Sequence, residues 1–238
     1  MSNGAEVYNS SPGEEERISS RAKTLLGLIF CTLAFAAGVF LYVDLYLTNA
    51  PPSAAAVRTS SGAQLYLATV AAAETTDSHP TWVSYYSVDA NDQHWFHATT
   101  YVVPANSVIH VRIYQFDSQT GLRNEWLGEA RGIVGGSFQL NGKPTQANDP
   151  STASHVFAIP QLGVSVPLEG VSDSAKNPCA NAPCSLSTAH ETISFSFRTH
   201  QKGLFRWQCF VPCAAGFIQG FGGPMQTVGY MDGYLKVV

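Results

Sequence analysis

The chain has 238 residues, with 13 basic and 17 acidic side chains and a formal net charge of −4. Charged residues make up 13% of the chain, roughly half the share of a typical soluble domain. No basic cluster occurs outside a short stretch near the N-terminus, which argues against nucleic-acid binding. Because 20 Gly and 13 Pro accompany many aromatic residues, the composition favours strands and turns over helices.

A long uncharged segment near the N-terminus predicts a transmembrane helix. Residues Thr24 to Val43 carry no charge, and as a helix they would span about 30 Å, the thickness of a bilayer core. We predict a tail over residues 1–23, disordered over residues 1–16, and a transmembrane helix over residues 24–48. A cleaved signal peptide is the alternative, but its apolar core would be only about 7–15 residues long.

The charges that flank this helix predict its orientation. Arg17, Arg21 and Lys23 precede it, whereas only Asp44 and then Arg58 follow. By the positive-inside rule, the tail is cytoplasmic and the chain beyond the helix lies outside. The sequence therefore predicts a single-pass protein of the cell membrane with an extracytoplasmic C-terminal domain.

The rest of the chain has the pattern of a β domain. Residues 49–94 begin with a Pro-, Ala- and Ser-rich stretch and are expected to form a linker and an N-terminal extension. Residues 108–114 and 192–197 alternate with period two, and residues 233–238 would supply a final strand. Since no long amphipathic helical pattern is evident, residues 95–238 are expected to fold as a mainly β sandwich or barrel.

The five cysteines occur in three settings. Cys31 lies in the apolar segment, where a buried, inert thiol is expected. Cys179 and Cys184 lie in a polar loop that would face an oxidising compartment, so a loop disulfide is expected. Cys209 and Cys213 follow a predicted strand and precede a Gly-rich loop. That last neighbourhood suggests metal ligands.

Other residues could complete a metal site together with Cys209 and Cys213. Copper electron-transfer sites combine thiolate, imidazole and a weak thioether. His155 opens an apolar run and Met225 lies before the final predicted strand, so the two could complete such a set. Met231 is a weaker candidate because it lies closer to that strand. The alternative is a Cys209–Cys213 disulfide with His155 as an ordinary hydrogen-bonded histidine, since cysteines can pair when their Cα atoms lie within about 7 Å.

Three segments of the chain carry related motifs: residues 154–163 (SHVFAIPQLG), residues 203–213 (GLFRWQCFVPC) and residues 101–114. They resemble cytochrome c oxidase subunit II. The first is similar to that family's His-Ser-Phe-x-x-Pro-x-Leu segment, the second to its Gly-x-Tyr-x-x-x-Cys-x-x-x-Cys segment, and the third to its earlier strand pair. A single anchor resembles the one-helix subunit II of B-type haem–copper oxidases. The resemblance implies a cupredoxin-like Greek-key β-sandwich with one N-terminal transmembrane α-helix.

The resemblance also implies a set of copper ligands. In that family two bridging thiolates hold two coppers; one adds an early His and a Met, the other a late His and a backbone carbonyl. Val211 would offer the carbonyl, but Phe217 stands where the late His is expected and Gly220 where the Met is expected. The implied site is therefore mononuclear copper, or no copper. Its side-chain ligands would be His155, Cys209, Cys213 and Met225.

The implied function is that of a subunit II-like component of a membrane haem–copper terminal oxidase. Its partners would be the catalytic subunit and an electron donor: cytochrome c, a cupredoxin or a quinol. Without copper, the domain would keep a structural role. Two other hypotheses remain. The protein could be a membrane-anchored oxidase-assembly cupredoxin that carries Cu(I), or an exported adhesion-like β-sandwich without metal. No hydrolase or phosphate-binding motif is evident.

Overall fold

The computed structural model describes residues 12–43, 52–71, 82–92, 94–179, 181–212 and 223–238, with side chains from residue 20 onward. The chain divides into two compact units, residues 1–50 and residues 51–238. Each unit is described by itself.

The first unit contains helix α1, Pro12–Tyr42. The helix begins at Pro12 rather than at residue 24, the start predicted from the sequence. Residues 12–16, which were expected to be disordered, are therefore helical. A proline at the start of a helix is well placed, since it lacks an N–H that the first turn could not use. Ser20–Tyr42 is long and apolar enough to cross a membrane, with a mean hydropathy of 2.3. Its large side chains are exposed, with Phe35 at 75%, and Cys31 is exposed rather than buried in protein.

The described part of the second unit contains fourteen strands. In chain order they are β1 (Ser53–Ala55), β2 (Val57–Thr59), β3 (Gly62–Val70), β4 (Ser84–Val88), β5 (Trp95–Phe96), β6 (Thr100–Val103), β7 (Val108–Gln115), β8 (Phe138–Leu140), β9 (Lys143–Thr145), β10 (Ala153–Ile159), β11 (Val164–Glu169), β12 (Glu191–Arg198), β13 (Gly203–Gln208) and β14 (Asp232–Val237).

These strands form two mixed sheets. The order in sheet A is β1-β6-β14-β13-β10-β11, and in sheet B it is β5-β4-β3-β7-β12-β8-β9, with β2 paired to β3. The pairs β1–β6, β6–β14 and β3–β7 are parallel, and the remaining pairs are antiparallel. The last strand, β14, therefore lies inside sheet A between β6 and β13.

Inward-facing side chains of both sheets form the main core, with Trp207 of β13 fully buried in it. The indole ring of Trp207 lies 4.7 Å from the ring of Tyr85 in sheet B and 5.7 Å from the ring of Phe157 in sheet A, measured between centroids. Its Nε1–H donates a hydrogen bond to the carbonyl of Thr99 at 2.9 Å. A Cβ at Gly233 would meet that carbonyl and lie 2.7 Å from Nε1, so only glycine fits there.

The predicted mainly β sandwich after one N-terminal helix is confirmed. The start of the domain differs from the prediction, because residues 49–94 are not merely a linker and extension. Strands β1 to β4 lie within them, and β3 pairs with β4 and β7 inside sheet B. Ala54 and Ala63 are 7% and 0% exposed. Small residues that fill such tight positions give a strand the composition of a linker.

In the polar loop before β12, a disulfide joins Cys179 and Cys184, whose Cα atoms are 5.8 Å apart. The expected loop disulfide is therefore confirmed.

Candidate metal centre

His155 lies on β10 and its side chain is fully buried. It occupies the same alternate positions as Phe157 and Ile159, which belong to the main core. A register shift between Ala153 and His155 marks a β-bulge in the pairing of β10 with β11. Bulges re-aim the side chains beside them, and here His155 enters the interior of the sandwich.

Cys209 directly follows β13 and is also fully buried. Its N–H donates to the carbonyl of Met231 at 3.0 Å, which continues the pairing of β13 with the segment that leads into β14. Because β13 and β10 are neighbours in sheet A, Cys209 lies beside His155. The Sγ atom of Cys209 is 3.9 Å from Nδ1 of His155, and the N–H of Val156 donates to Sγ at 3.5 Å.

Asp117 holds the other side of the imidazole ring. It follows the end of β7, and its Oδ2 lies 3.1 Å from Nε2 of His155. Metal-bound histidines usually donate their second ring N–H to such a group, which fixes the ring and the nitrogen that faces the metal. The sequence analysis did not single out Asp117. An isolated acidic residue shortly after a predicted strand was the available signal.

The charges around His155 favour a cation at this place. Burial lowers the pKa of the His155 imidazole, but its hydrogen bonds to Asp117 and Cys209 outweigh burial and raise the pKa to about 9. Burial likewise raises the pKa of the Asp117 carboxyl, yet the hydrogen bond and charge of His155 outweigh it and hold this pKa below its usual value. The pocket between a carboxylate and a sulfur therefore stabilises positive charge.

Two further predicted ligand positions lie close to Cys209 in the fold. The carbonyl oxygen of Val211 is 3.7 Å from Sγ of Cys209. The carbonyl of Met225 accepts a 2.6 Å hydrogen bond from Nε2 of Gln208, which ties residue 225 to the end of β13. The Met225 thioether stays a predicted ligand. The remaining predictions, on Cys213, Phe217, Gly220 and a Cys209–Cys213 disulfide, lie outside the described residues.

The distance between sulfur and nitrogen fits a shared metal ion. In zinc sites the metal–sulfur bond is about 2.3 Å and the metal–nitrogen bond about 2.0–2.1 Å, so two such ligands lie at most about 4.4 Å apart. The observed 3.9 Å between Cys209 and His155 lies within that limit. Within the described ranges, no group of three or more His, Cys, Asp or Glu could hold a metal ion. Cys213 and Met225 stay predicted as further ligands.

Comparisons with known proteins found only solved structures of low similarity. No protein-family model matches the chain, and no curated protein matches it. Similar solved structures include rusticyanin, described as a copper protein, with a TM-score of 0.31, 14% identity and coverage of 78% of this chain and 82% of that chain. A structure of rusticyanin from Thiobacillus ferrooxidans has a TM-score of 0.30 at 13% identity, with coverage of 78% of this chain and 82% of that chain.

A haem–copper terminal oxidase dimer gives a TM-score of 0.24 at 12% identity and covers 92% of this chain and 99% of that chain. TM-scores of this size define no family for this chain. At the level of fold class, the two-sheet architecture agrees with the predicted cupredoxin-like sandwich.

Proposed function

We propose that this protein is an electron-transfer component, like subunit II, of a membrane haem–copper terminal oxidase. The observation that carries the proposal is the 3.9 Å approach of the Cys209 sulfur to Nδ1 of the fully buried His155. Soft thiolate and imidazole ligands suit copper. When bound, copper would supply one-electron redox chemistry by alternating between Cu(I) and Cu(II).

The chain's own contribution is a rigid pair of ligands. His155 is on β10, which pairs with β11 on one side and β13 on the other. The main-chain N–H of Cys209 donates a hydrogen bond to the carbonyl of Met231. Asp117 fixes the ring from behind. Groups held by packing and by outer hydrogen bonds keep their geometry better than groups on free loops. Such rigidity suits a site that must exchange electrons without rearranging.

The rest of the ligand set is proposed from the sequence. Cys213 and Met225 would complete the copper site, with the Val211 carbonyl beside it. Since Phe217 cannot bind a metal, we propose a mononuclear centre.

The N-terminal helix supports a proposal about the membrane partner. We propose that Ser20–Tyr42 anchors the chain uncleaved, with its basic flank in the cytoplasm and the β domain on the outer face of the membrane. The helix would pack against a separate haem-bearing catalytic subunit. The outer domain would accept an electron from cytochrome c, a cupredoxin or a quinol.

The burial of the two central ligands bears on the alternative, a carrier that hands Cu(I) to an oxidase during assembly. A carrier has to expose its ligands to the receiving protein. His155 and Cys209 are both 0% exposed, which supports a retained metal. A colourless, readily exchanged Cu(I) would instead favour the carrier.

Copper analysis with an optical spectrum of the full chain in detergent tests the proposal. The wild type should bind copper and absorb visible light, and Cys209→Ser should lose both. Cys179→Ser is the matched control, because Cys179 pairs with Cys184 in a loop disulfide. The ligand assignment fails if the two variants behave alike, or if the wild type binds no copper.

A further inference from the structure

Two buried polar side chains, Thr69 and Gln115, lie side by side where β3 and β7 end, and we name them the polar pair. They are register partners of these two parallel strands, and both are 0% exposed. Burial of a hydroxyl and an amide is unfavourable unless both are hydrogen-bonded. The residues that flank the pair in the chain all belong to one apolar cluster: Ala68, Val70, Tyr114 and Phe116. The hydrogen bonds of the pair therefore indicate its role.

Gln115 binds the main chain of Asp117 at two points. Its Nε2 donates to the carbonyl of Asp117 at 3.2 Å, and its Oε1 accepts from the N–H of Asp117 at 3.3 Å. The Thr69 hydroxyl donates a hydrogen bond to the same Oε1. An amide turned over would exchange its donor and its acceptor. Thr69 therefore helps to hold the Gln115 amide in the orientation that fits Asp117.

The two bonds from Gln115 fix a residue that lies just beyond the end of β7. The carbonyl of Asp117 also accepts from the N–H of Val171 at 2.8 Å. With the main chain of Asp117 held in this way, its carboxylate has a defined position. Oδ1 accepts from the N–H of Ser118 at 2.7 Å, and Oδ2 lies 3.1 Å from Nε2 of His155. A chain of hydrogen bonds thus leads from the polar pair through Asp117 to the imidazole ring.

We propose that the polar pair positions the Asp117 carboxylate against His155, and so sets how firmly the imidazole is presented to a metal beside Cys209. Gln115 is a positioning residue that acts through Asp117, and Thr69 acts one hydrogen bond further away. A buried polar network with all its bonds formed makes its surroundings rigid. The inference deepens the proposed function and rests on it for the effect on copper, whereas the effect on the bond between Asp117 and His155 can be measured without metal.

Hydrogen exchange in the metal-free full chain in detergent tests the bond between Asp117 and His155. With ¹⁵N-labelled histidine, the Nε2–H proton of His155 should give a slowly exchanging signal, which His155→Gln identifies by removing it. Gln115→Met keeps the length of the side chain but cannot form the two bonds to Asp117. The proton should then exchange roughly 10-fold faster, as expected for the loss of one to two hydrogen bonds.

The hydroxyl of Thr69 provides a second, milder test. Thr69→Val should speed the exchange of the His155 proton by a smaller factor, and Thr69→Ser, which keeps the hydroxyl, should restore the wild-type rate. Thr199→Val is the matched control. Thr199 is buried and its hydroxyl donates to the carbonyl of Pro104 at 2.7 Å, but it lies near the start of β7 rather than its end. This variant should leave the exchange of the His155 proton unchanged.

Copper affinity, measured by competition with a chelator, tests whether Gln115 acts through Asp117. Gln115→Met should weaken copper binding roughly 5-fold, less than the loss expected for Asp117→Asn. In an Asp117→Ala background there is no carboxylate to position, so Gln115→Met should have no further effect.

Three results would overturn the inference: unchanged proton exchange in Gln115→Met or Thr69→Val, equally fast exchange in Thr199→Val, or the same loss of copper affinity with and without the Asp117 carboxylate. If Gln115→Met does not fold, the Thr69 and Thr199 variants decide the question. A wild-type chain that binds no copper would end the proposed function, and proton exchange in the metal-free chain would still decide whether the polar pair positions Asp117.

Discussion

At the scale of single residues, the contact between Asp117 and His155 determines which ring nitrogen faces Cys209. With Nε2 held by the carboxylate at 3.1 Å, Nδ1 is turned toward the sulfur. The ring therefore needs no reorientation to bind a metal beside Cys209.

Replacement of Asp117 by Asn should weaken copper binding. Asn keeps an oxygen near Nε2 but removes the negative charge, so we expect a loss on the order of 10-fold, at the lower end of what outer-sphere partners contribute. Competition with a copper chelator would measure the affinity. Asp173→Asn is the control, since Asp173 is exposed. Equal affinities for the two variants would contradict the role given to Asp117.

Glu169 at the end of β11 should make stability depend on pH. Burial raises the pKa of its carboxyl above 4.5, and nearby Glu191 and Asp149 add to this, although a hydrogen bond from Thr152 opposes it. A carboxyl with a raised folded-state pKa destabilises the protein above that pKa, and the effect disappears as the pH falls below the unfolded-state value. Glu169→Gln should therefore stabilise the protein at pH 7.

The same substitution should have no effect near pH 3, where Glu169 is protonated in both states. Denaturant unfolding at the two pH values measures the difference. A stabilisation of equal size at both would show that the charge is not its cause.

The individual residues of the site differed in how far the sequence could reveal them. His155 and Cys209 stand in recognisable segments, and the structure places them 3.9 Å apart. Asp117 lies just after a third strand, β7, with no motif around it. Its role arises from a contact with a residue 38 positions further along the chain, and no local pattern records that contact.

At the scale of elements, the close approach of β14 to the segment before β6 leaves room only for a hydrogen at Gly233. Gly233→Ala should destabilise the domain by about 1–3 kcal/mol, because the added methyl group displaces the Thr99 carbonyl or the Trp207 indole. Denaturant unfolding followed by tryptophan fluorescence would measure the loss. Gly27→Ala has nothing within 4 Å of the new atom and should leave domain unfolding unchanged.

Elements with one buried face were the predictable ones. In β7 and β12 buried and partly exposed residues alternate, as the period-two pattern predicted. In β4 every residue is buried, and in β3 alternation is lost over its last residues. A strand covered on both faces loses the periodic signal. For this reason, β4 and the end of β3 carry no periodic strand pattern in the sequence.

At the scale of the whole molecule, the apolar helix should keep the chain in the membrane. We expect the protein to stay in the membrane fraction after a carbonate wash. Its mass should show that the N-terminal segment has not been cleaved. Replacement of both Leu28 and Leu33 by Asp should release the protein from the membrane, since each carboxylate costs about 2.5–3.5 kcal/mol at a helix centre in the bilayer. Leu204→Asp, at an equally exposed position in the β domain, should stay bound. Cleavage after the Ala54–Ala56 stretch would instead identify a signal peptide.

The position of β14 sets the order in which the domain can be made. As the ribosome releases the chain from its N-terminus, β6 and β13 emerge first but have no direct pairing in sheet A. The strand that joins them, Asp232–Val237, emerges after both. Sheet A is therefore completed only after residue 237 has been synthesised, and until then its two halves, β1-β6 and β13-β10-β11, lack the strand that joins them.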